Sequence, residues 1–319
     1  MKVIKLSLND VITMKEDVSC CIGYFDGLHL GHQKLINSAK EFAQKQGIAS
    51  GLITFDPDPV SVIRDLEEEK KHLYRMEDRI LLGEQLGLDY WFILEFTKEV
   101  SQLSPEDFVN RILKPLQVKH VACGQNFRFG YKGQGNPEIL SQLSQGSFGV
   151  DEIELVTLED EKISSTRIIQ ALENGDIEKV TQMLGRPYHL TGPVIGGNRQ
   201  GQKIGFPTAN LYVSDEYVLP KQGVYIGIAQ VFDKLHPVMI NIGHNLTFNT
   251  RIHLSIEGNI LDFDQVIYGE VISYHFVKYL REELKFNSVQ ELVERMGIDE
   301  QETRKYFEGK DLREVLNVL

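Results

Sequence analysis

Residues 23–32, GYFDGLHLGH, stand between a strand-like run and a helical repeat, and their reading decides the fold of the first half of the chain. Before them, Val18 to Gly23 (VSCCIG) has the unbroken apolar character of a buried strand. After them, Leu35, Ile36, Ala39, Phe42 and Ala43 recur at helical spacing, and Gly47 is placed to end the helix. A loop between a strand and a helix start lies at the carboxyl end of a strand, where open parallel sheets bind ligands. The helix start adds free backbone N–H groups and a positive dipole, which favour phosphate. Gly23, Gly27 and Gly31 allow close backbone approach. His29 and His32 can then donate hydrogen bonds to phosphoryl oxygens as charge gathers on them. Taken alone, the two histidines also fit polar loop residues beside a helix cap. With Asp26 they form D-x-x-H-x-x-H, a metal-ligand spacing, but zinc would need further ligands on a fixed scaffold.

Working outward, Ile48–Phe55, Tyr90–Leu94 and Val118–Ala122 predict strands. Between them, Asp78–Leu86 predicts a helix, and Ser104-Pro105-Glu106-Asp107 is a strong helix start. Helical signals return after Ser165. Strands alternating with helices imply an α/β domain with a doubly wound parallel sheet. The pattern changes near Leu184–Pro187. Beyond it, Val238, Ile240 and Ile242 alternate, as do Ile252, Leu254 and Ile256, leaving His253, Ser255 and Glu257 on the opposite face. Such strands with glycine-rich turns predict an antiparallel barrel or sandwich. From about Val277 the sequence is expected to be helical to its end, most clearly at VQELVERMG. Two domains follow, 1–185 and 186–319.

Composition narrows the function. The chain has 319 residues, 34 Lys plus Arg against 46 Asp plus Glu, and a net charge of −12, which excludes a non-specific nucleic-acid binder. A local phosphate site remains compatible with that charge, because amides and a metal ion can build it. Cys20, Cys21 and Cys123 lie in apolar runs and read as buried thiols. No stretch resembles a signal peptide or a membrane span, so a soluble cytoplasmic protein with no membrane partner is expected. In the second half, GPVIGGNRQGQKIGFPTANL (192–211) lacks a Walker A pattern. Thr208 and Asn210, two residues apart in an extended segment, can offer hard oxygen donors to Mg²⁺. Pro207–Asn210 can equally be a proline turn.

These segments together resemble the bacterial bifunctional riboflavin kinase/FMN adenylyltransferases. GYFDGLHLGH is similar to that family's G-x-F-D-G-x-H-x-G-H signature, and TFDPDP (54–59), CGQNFRFGYKGQG (123–135) and ISSTRI (163–168) fit it as well. The second half resembles the kinase signature G-x-x-x-G-x-P-T-A-N, followed by GVYIG (223–227), NIGHNLTF (241–248) and SIEGNILDFDQVIYG (255–269). The resemblance implies an α/β nucleotidylyltransferase domain and then a six-stranded β-barrel kinase domain with C-terminal helices. It implies ATP, riboflavin and FMN as substrates, with Mg²⁺. In the first domain it implies that His29, His32 and Arg167 stabilise the leaving pyrophosphate. Gly23, Phe25, Gly31, Gly124, Asn126, Ser164, Ser165 and Thr166 belong to the implied binding set. In the second it implies Glu257 as the base, Thr208 and Asn210 on ATP–Mg²⁺, and Gly201 in a glycine-rich flap. A monomer or weak oligomer is expected.

The chain departs from the family pattern at Tyr24, where Asn is frequent, at Asp58, where His is usual, and at Asn126, where Asp is usual. Gln202 and Asn259 also replace common residues. These departures leave two alternatives: a riboflavin kinase with an impaired adenylyltransferase domain, and a flavin-binding regulator without turnover.

Overall fold

The computed structural model describes residues 1–10, 14–66, 70–197, 200–244 and 254–316. Its contacts divide the chain into two units, Met1–Ser165 and Thr166–Leu319.

The first unit is built on a six-stranded, wholly parallel sheet: β1 (Lys2–Leu6), β2 (Val18–Ile22), β3 (Ala49–Asp56), β4 (Tyr90–Glu95), β5 (Val118–Gly124) and β6 (Gly149–Ile153). Their spatial order is β1-β4-β3-β2-β5-β6. Every residue of β2 is buried, as its lack of alternation required. The chain steps from β2 to β3 to β4 on one side, then returns to lay β5 on the other side of β2. The switch point is therefore between β2 and β5, and the loops leaving their carboxyl ends carry residues 23–29 and 125–130. The helix Leu30–Gln46 lies against these strands, and the Ser19 hydroxyl on β2 donates to the Ala39 carbonyl at 2.8 Å. Gly47, at φ 65°, ends it as expected, its N–H returning to Ala43. Cys20, Cys21 and Cys123 are fully buried free thiols, and burial pushes Cys123 up to about 12. A short ribbon, β7 (Thr157–Leu158) with β8 (Glu161–Lys162), completes the unit.

The second unit is a closed antiparallel barrel of β9 (Tyr188–Ile195), β10 (Ala209–Leu211), β11 (Gly223–Val231), β12 (Lys234–His244), β13 (Leu254–Ile260) and β14 (Val271–Arg281). The ring runs β10-β13-β12-β11-β14-β9 and closes by pairing β9 with β10. Val238, Ile240, Ile242 and Ile256 are buried, as the alternation predicted. Ile252, His253 and the 245–248 part of NIGHNLTF lie outside the described residues. Gly258 leaves room for Tyr274: a Cβ there would meet the phenol ring at 2.4 Å, and the Tyr274 hydroxyl donates to Ala209 O at 2.9 Å.

One expectation is corrected. Residues 277–281 are strand and not helix, because they continue the pairing of β14 with β11, while residues 271–276 of β14 also pair with β9 to close the ring. The C-terminal helix is Val289–Phe307, capped by Ser288, and a further helix, Leu312–Leu316, follows it. Buried Asp299 on the long helix ties it to β14 through Arg281 at 2.6 Å and is flanked by Arg295 at 2.7 Å. The helices Ser165–Asn174 and Ile177–Leu184 come between the parallel sheet and the barrel in sequence. From Thr166 onward they group with the barrel, since Lys221 N–H donates to Leu172 O at 2.9 Å and the second helix packs on β9 and β14.

Candidate active sites

At the switch point of the parallel sheet lies a cavity of about 390 Å³, lined by Gly23, His29, Gly31, His32, Gly124 and Asn126, with Ser164 and Ser165 from the far end of the unit. His29 caps the helix Leu30–Gln46: its Nδ1 accepts the backbone N–H of His32 at 3.3 Å. With Nδ1 accepting, the proton of a neutral His29 sits on Nε2, the tautomer able to donate outward. The two imidazoles stack, centroids 3.6 Å apart. Gly31 suits that arrangement, because a Cβ there would stand 3.1 Å from the His29 ring and push it by a few tenths of an ångström. Gly124 has the same relation to Asn126, whose Oδ1 lies 3.1 Å from the position of a Cβ. Ser165 Oγ donates to the Asp26 carbonyl at 2.9 Å, which fixes the start of its helix beside the glycine-rich loop.

Phe25 is placed differently from the expectation. It is fully buried, at φ 56°, with its ring edge-on to His32 at 5.0 Å, so it supports the histidine from below and does not line the cavity. Thr166 and Arg167 open the second unit and are not among the lining residues.

The metal-ligand reading of Asp26 is not supported. Its carboxylate accepts backbone N–H groups of Leu73 at 3.0 Å and Tyr74 at 3.4 Å. Burial pushes its carboxyl up to about 6, against the pull of Arg79 and those two N–H groups. Asp58 is likewise engaged within the fold. It caps the helix Pro59–Arg64 through Val60 N–H at 2.8 Å and pairs with Lys70 at 3.4 Å. Tyr24 packs under the Arg79 guanidinium, 5.0 Å from its ring centroid, and its hydroxyl meets His72 at 3.3 Å. An adjoining cavity of about 690 Å³ shares Phe55, Pro59 and Arg128 with the first and adds Phe96, Phe129 and Tyr131.

The barrel carries its own site. A cavity of about 520 Å³ is lined by Gly201, Thr208, Asn210 and Glu257, four residues singled out in the sequence. β10 and β13 bring them together, because Asn210 stands directly opposite Glu257 in the ladder. Residues opposite one another in an antiparallel pair share a face. Thr208 Oγ donates to Glu257 Oε2 at 3.4 Å. Burial raises the Glu257 carboxyl above its ordinary value, against hydrogen bonds from Thr208 and Ser255. The glycine-rich segment packs closely: a Cβ on Gly201 would fall 2.3 Å from the Phe206 backbone carbonyl, and one on Gly197 2.3 Å from Asn210 Nδ2, at the end of a side chain. Asn259, one of the departures, donates to Pro207 O at 2.7 Å and so fixes the turn that presents Thr208.

A second barrel cavity, of about 320 Å³, shares Thr208 and Glu257 with the first. Its remaining wall comes from β12, from Arg281 and from the C-terminal segment, including Leu284, Phe286, Leu292 and Met296. Sequence reasoning missed this wall. The apolar residues 284–296 read as helix core, and only the pairing of β12 with β13 reveals that Asn241 lies beside Glu257.

Comparison with known proteins was decisive for both halves. A family model described as FAD synthetase matches residues 11–167, and one described as riboflavin kinase matches residues 184–307. The bifunctional riboflavin kinase/FMN adenylyltransferase of Listeria monocytogenes is 41% identical over 286 residues, covering 90% of this chain and 91% of that protein. The protein of the same name from Bacillus subtilis is 38% identical, with 90% and 91% covered. The crystal structure of a macrolide-efflux protein from Streptococcus pneumoniae superposes with a TM-score of 0.87 at 31% identity, covering 95% of this chain and 98% of that one. Among the described residues no helix is long and apolar enough to cross a membrane.

Proposed function

Because the chain belongs to the bifunctional riboflavin kinase/FMN adenylyltransferase family, we propose that its two units divide the two reactions, riboflavin phosphorylation in the barrel and FMN adenylylation at the switch point of the parallel sheet. The observation that carries the kinase assignment is the pair of cavities meeting at Thr208 and Glu257. The larger, under the glycine-rich segment, takes ATP; the smaller, with its apolar far wall, takes the flavin. At their shared wall the primary hydroxyl of riboflavin attacks the γ-phosphorus. Glu257 accepts the hydroxyl proton as the new O–P bond forms and ADP departs. A carboxyl raised by burial is the better base for that task.

Thr208 and Asn210 present neutral oxygen donors beside the Glu257 carboxylate, a set that fits magnesium. Among the described residues no group of three His, Cys, Asp or Glu side chains could hold a metal alone. The ion would therefore arrive with ATP, whose phosphate oxygens complete its coordination, and when bound it offsets phosphate charge.

In the first unit an FMN phosphate oxygen attacks the α-phosphorus of ATP. The bond to the β-phosphate oxygen breaks, and pyrophosphate leaves. The protein supplies orientation and charge stabilisation, and no protein nucleophile is needed. His29 and His32 donate to the phosphoryl oxygens, and Ser164 and Ser165 hold the phosphates beside the glycine-rich loop. Asn126 and the aromatic cavity of Phe55, Phe96 and Phe129 take the flavin end of FMN. The kinase-only alternative drew its force from Tyr24, Asp58 and Asn126, and Asp58 is the one that would add charge near ATP. That carboxylate is occupied by Val60 N–H and Lys70, which favours a working adenylyltransferase.

A product time course with riboflavin, ATP and Mg²⁺ tests the assignment. FMN followed by FAD is expected. FMN that accumulates without FAD, even when FMN is supplied directly, overturns the adenylyltransferase half, and no phosphorylated flavin overturns the kinase half.

A further inference from the structure

Three strands of the barrel align one row of side chains. Asn210 on β10 faces Glu257 on β13, and Glu257 in turn faces Asn241 on β12. The neighbours of these residues, Leu211, Ile256, Ile240 and Ile242, fill the barrel interior, so the row lies on the outer face. Asn210 lines the larger cavity, Asn241 lines the smaller, and Glu257 lines both.

Thr208, Asn241 and Asn259 are the neutral polar side chains of the smaller cavity. Thr208 is engaged with Glu257 and Asn259 with the Pro207 carbonyl. Of the cavity's four charged residues, Glu257, Arg281, Glu283 and Asp299, the second and last are paired with each other. The Asn241 carboxamide makes no hydrogen bond among the described residues, although it faces the cavity from a half-buried strand position. It holds one acceptor and two donor protons ready for something that enters.

We propose that Asn241 is a specificity-determining contact for the polyol chain of the flavin, binding hydroxyls adjacent to the one that Glu257 deprotonates. Neighbouring strands place facing side chains about 5 Å apart, a spacing that reaches from the terminal hydroxyl to the next ones along a carbon chain. A carboxamide matches a vicinal diol, donating to one oxygen and accepting from another. The apolar wall beyond it accepts the ring, so Asn241 reads the chain and not the ring. This rests on the kinase assignment above.

The test compares riboflavin with lumiflavin, which has the same ring with a methyl group in place of the polyol. In the Asn241→Ala and Asn241→Val chains, riboflavin binding should weaken about five- to tenfold, the loss of a neutral hydrogen bond or two. Lumiflavin inhibition and the KM for ATP should not change. Valine favours strands, so the second variant guards against a folding defect in the first. Equal weakening of both flavins, or an unchanged riboflavin affinity, overturns the assignment to Asn241 while the wild-type kinase rate leaves the reaction itself standing. A wild-type chain that does not phosphorylate riboflavin removes both.

Discussion

The rings of His29 and His32 lie face to face, centroids 3.6 Å apart and 14° from parallel, and the residue that permits this is Gly31 between them. The pair is held from below by Phe25 and at its base by the Nδ1 hydrogen bond that caps the helix. Geometry at this site thus depends on groups that touch no substrate.

Gly31→Ala separates stability from activity. Gly31 is in the first turn of Leu30–Gln46, where alanine is the better helix former, so the melting temperature should hold or rise. The new methyl group must displace the His29 ring, and FAD formation should fall by about tenfold or more. Riboflavin phosphorylation should be unaffected. Thermal melts and separate assays of the two products check all three.

Glu257→Gln should abolish FMN formation and leave flavin binding intact. The pH dependence has a defined sign. Burial raises the Glu257 carboxyl above the usual carboxylate range, so the base is lost to protonation as pH falls through that raised value. Kinase turnover should decline there on its acid side. A wild-type rate in the variant would show that another group takes the proton.

Asp58→Ala should lower stability by about 1 kcal/mol through loss of the cap on Pro59–Arg64. Asp58→Asn keeps a capping oxygen and should recover most of that loss in denaturant titrations. A large gain in FAD formation in Asp58→Ala would mean that the carboxylate repels substrate after all.

Acid should weaken the barrel before its carboxylates titrate. Burial and the neighbouring Arg186 hold His189 down to about 3, and burial holds His275, which faces it on β14, well below its ordinary value. The unfolded chain binds both protons below about pH 6.5, and the folded barrel does not. Their contribution is complete above that pH and is lost as pH falls toward the folded values. Asp26 acts in the opposite sense in the first unit: pushed up to about 6, it disfavours folding as pH climbs toward that value. Urea titrations at pH 7.5 and 5 measure the balance, and His275→Leu should flatten the barrel's slope.

Local patterns made much of this legible. Apolar continuity announced β2, and a helical repeat with a glycine stop announced Leu30–Gln46. Thr208 and Asn210 were visible as oxygen donors at a spacing and Glu257 through the family resemblance, and the β10–β13 ladder brought them into one cavity. What stayed hidden depended on partners distant in sequence. Residues 277–281 look helical by themselves and become strand because β11, more than fifty residues upstream, pairs along them. Phe25 stands inside a binding motif, yet its positive φ turns the ring into the core. Asn241 opens the NIGHNLTF segment, but its place beside Glu257 comes from the strand that lies next to it.

Glu257 is a wall common to two chambers, and that has a kinetic consequence. Donor and acceptor approach the same carboxylate from different sides, so neither must vacate its seat before the other arrives. The barrel is laid out for a ternary complex and direct transfer, with initial-rate plots that intersect and no phosphorylated protein left behind between turnovers.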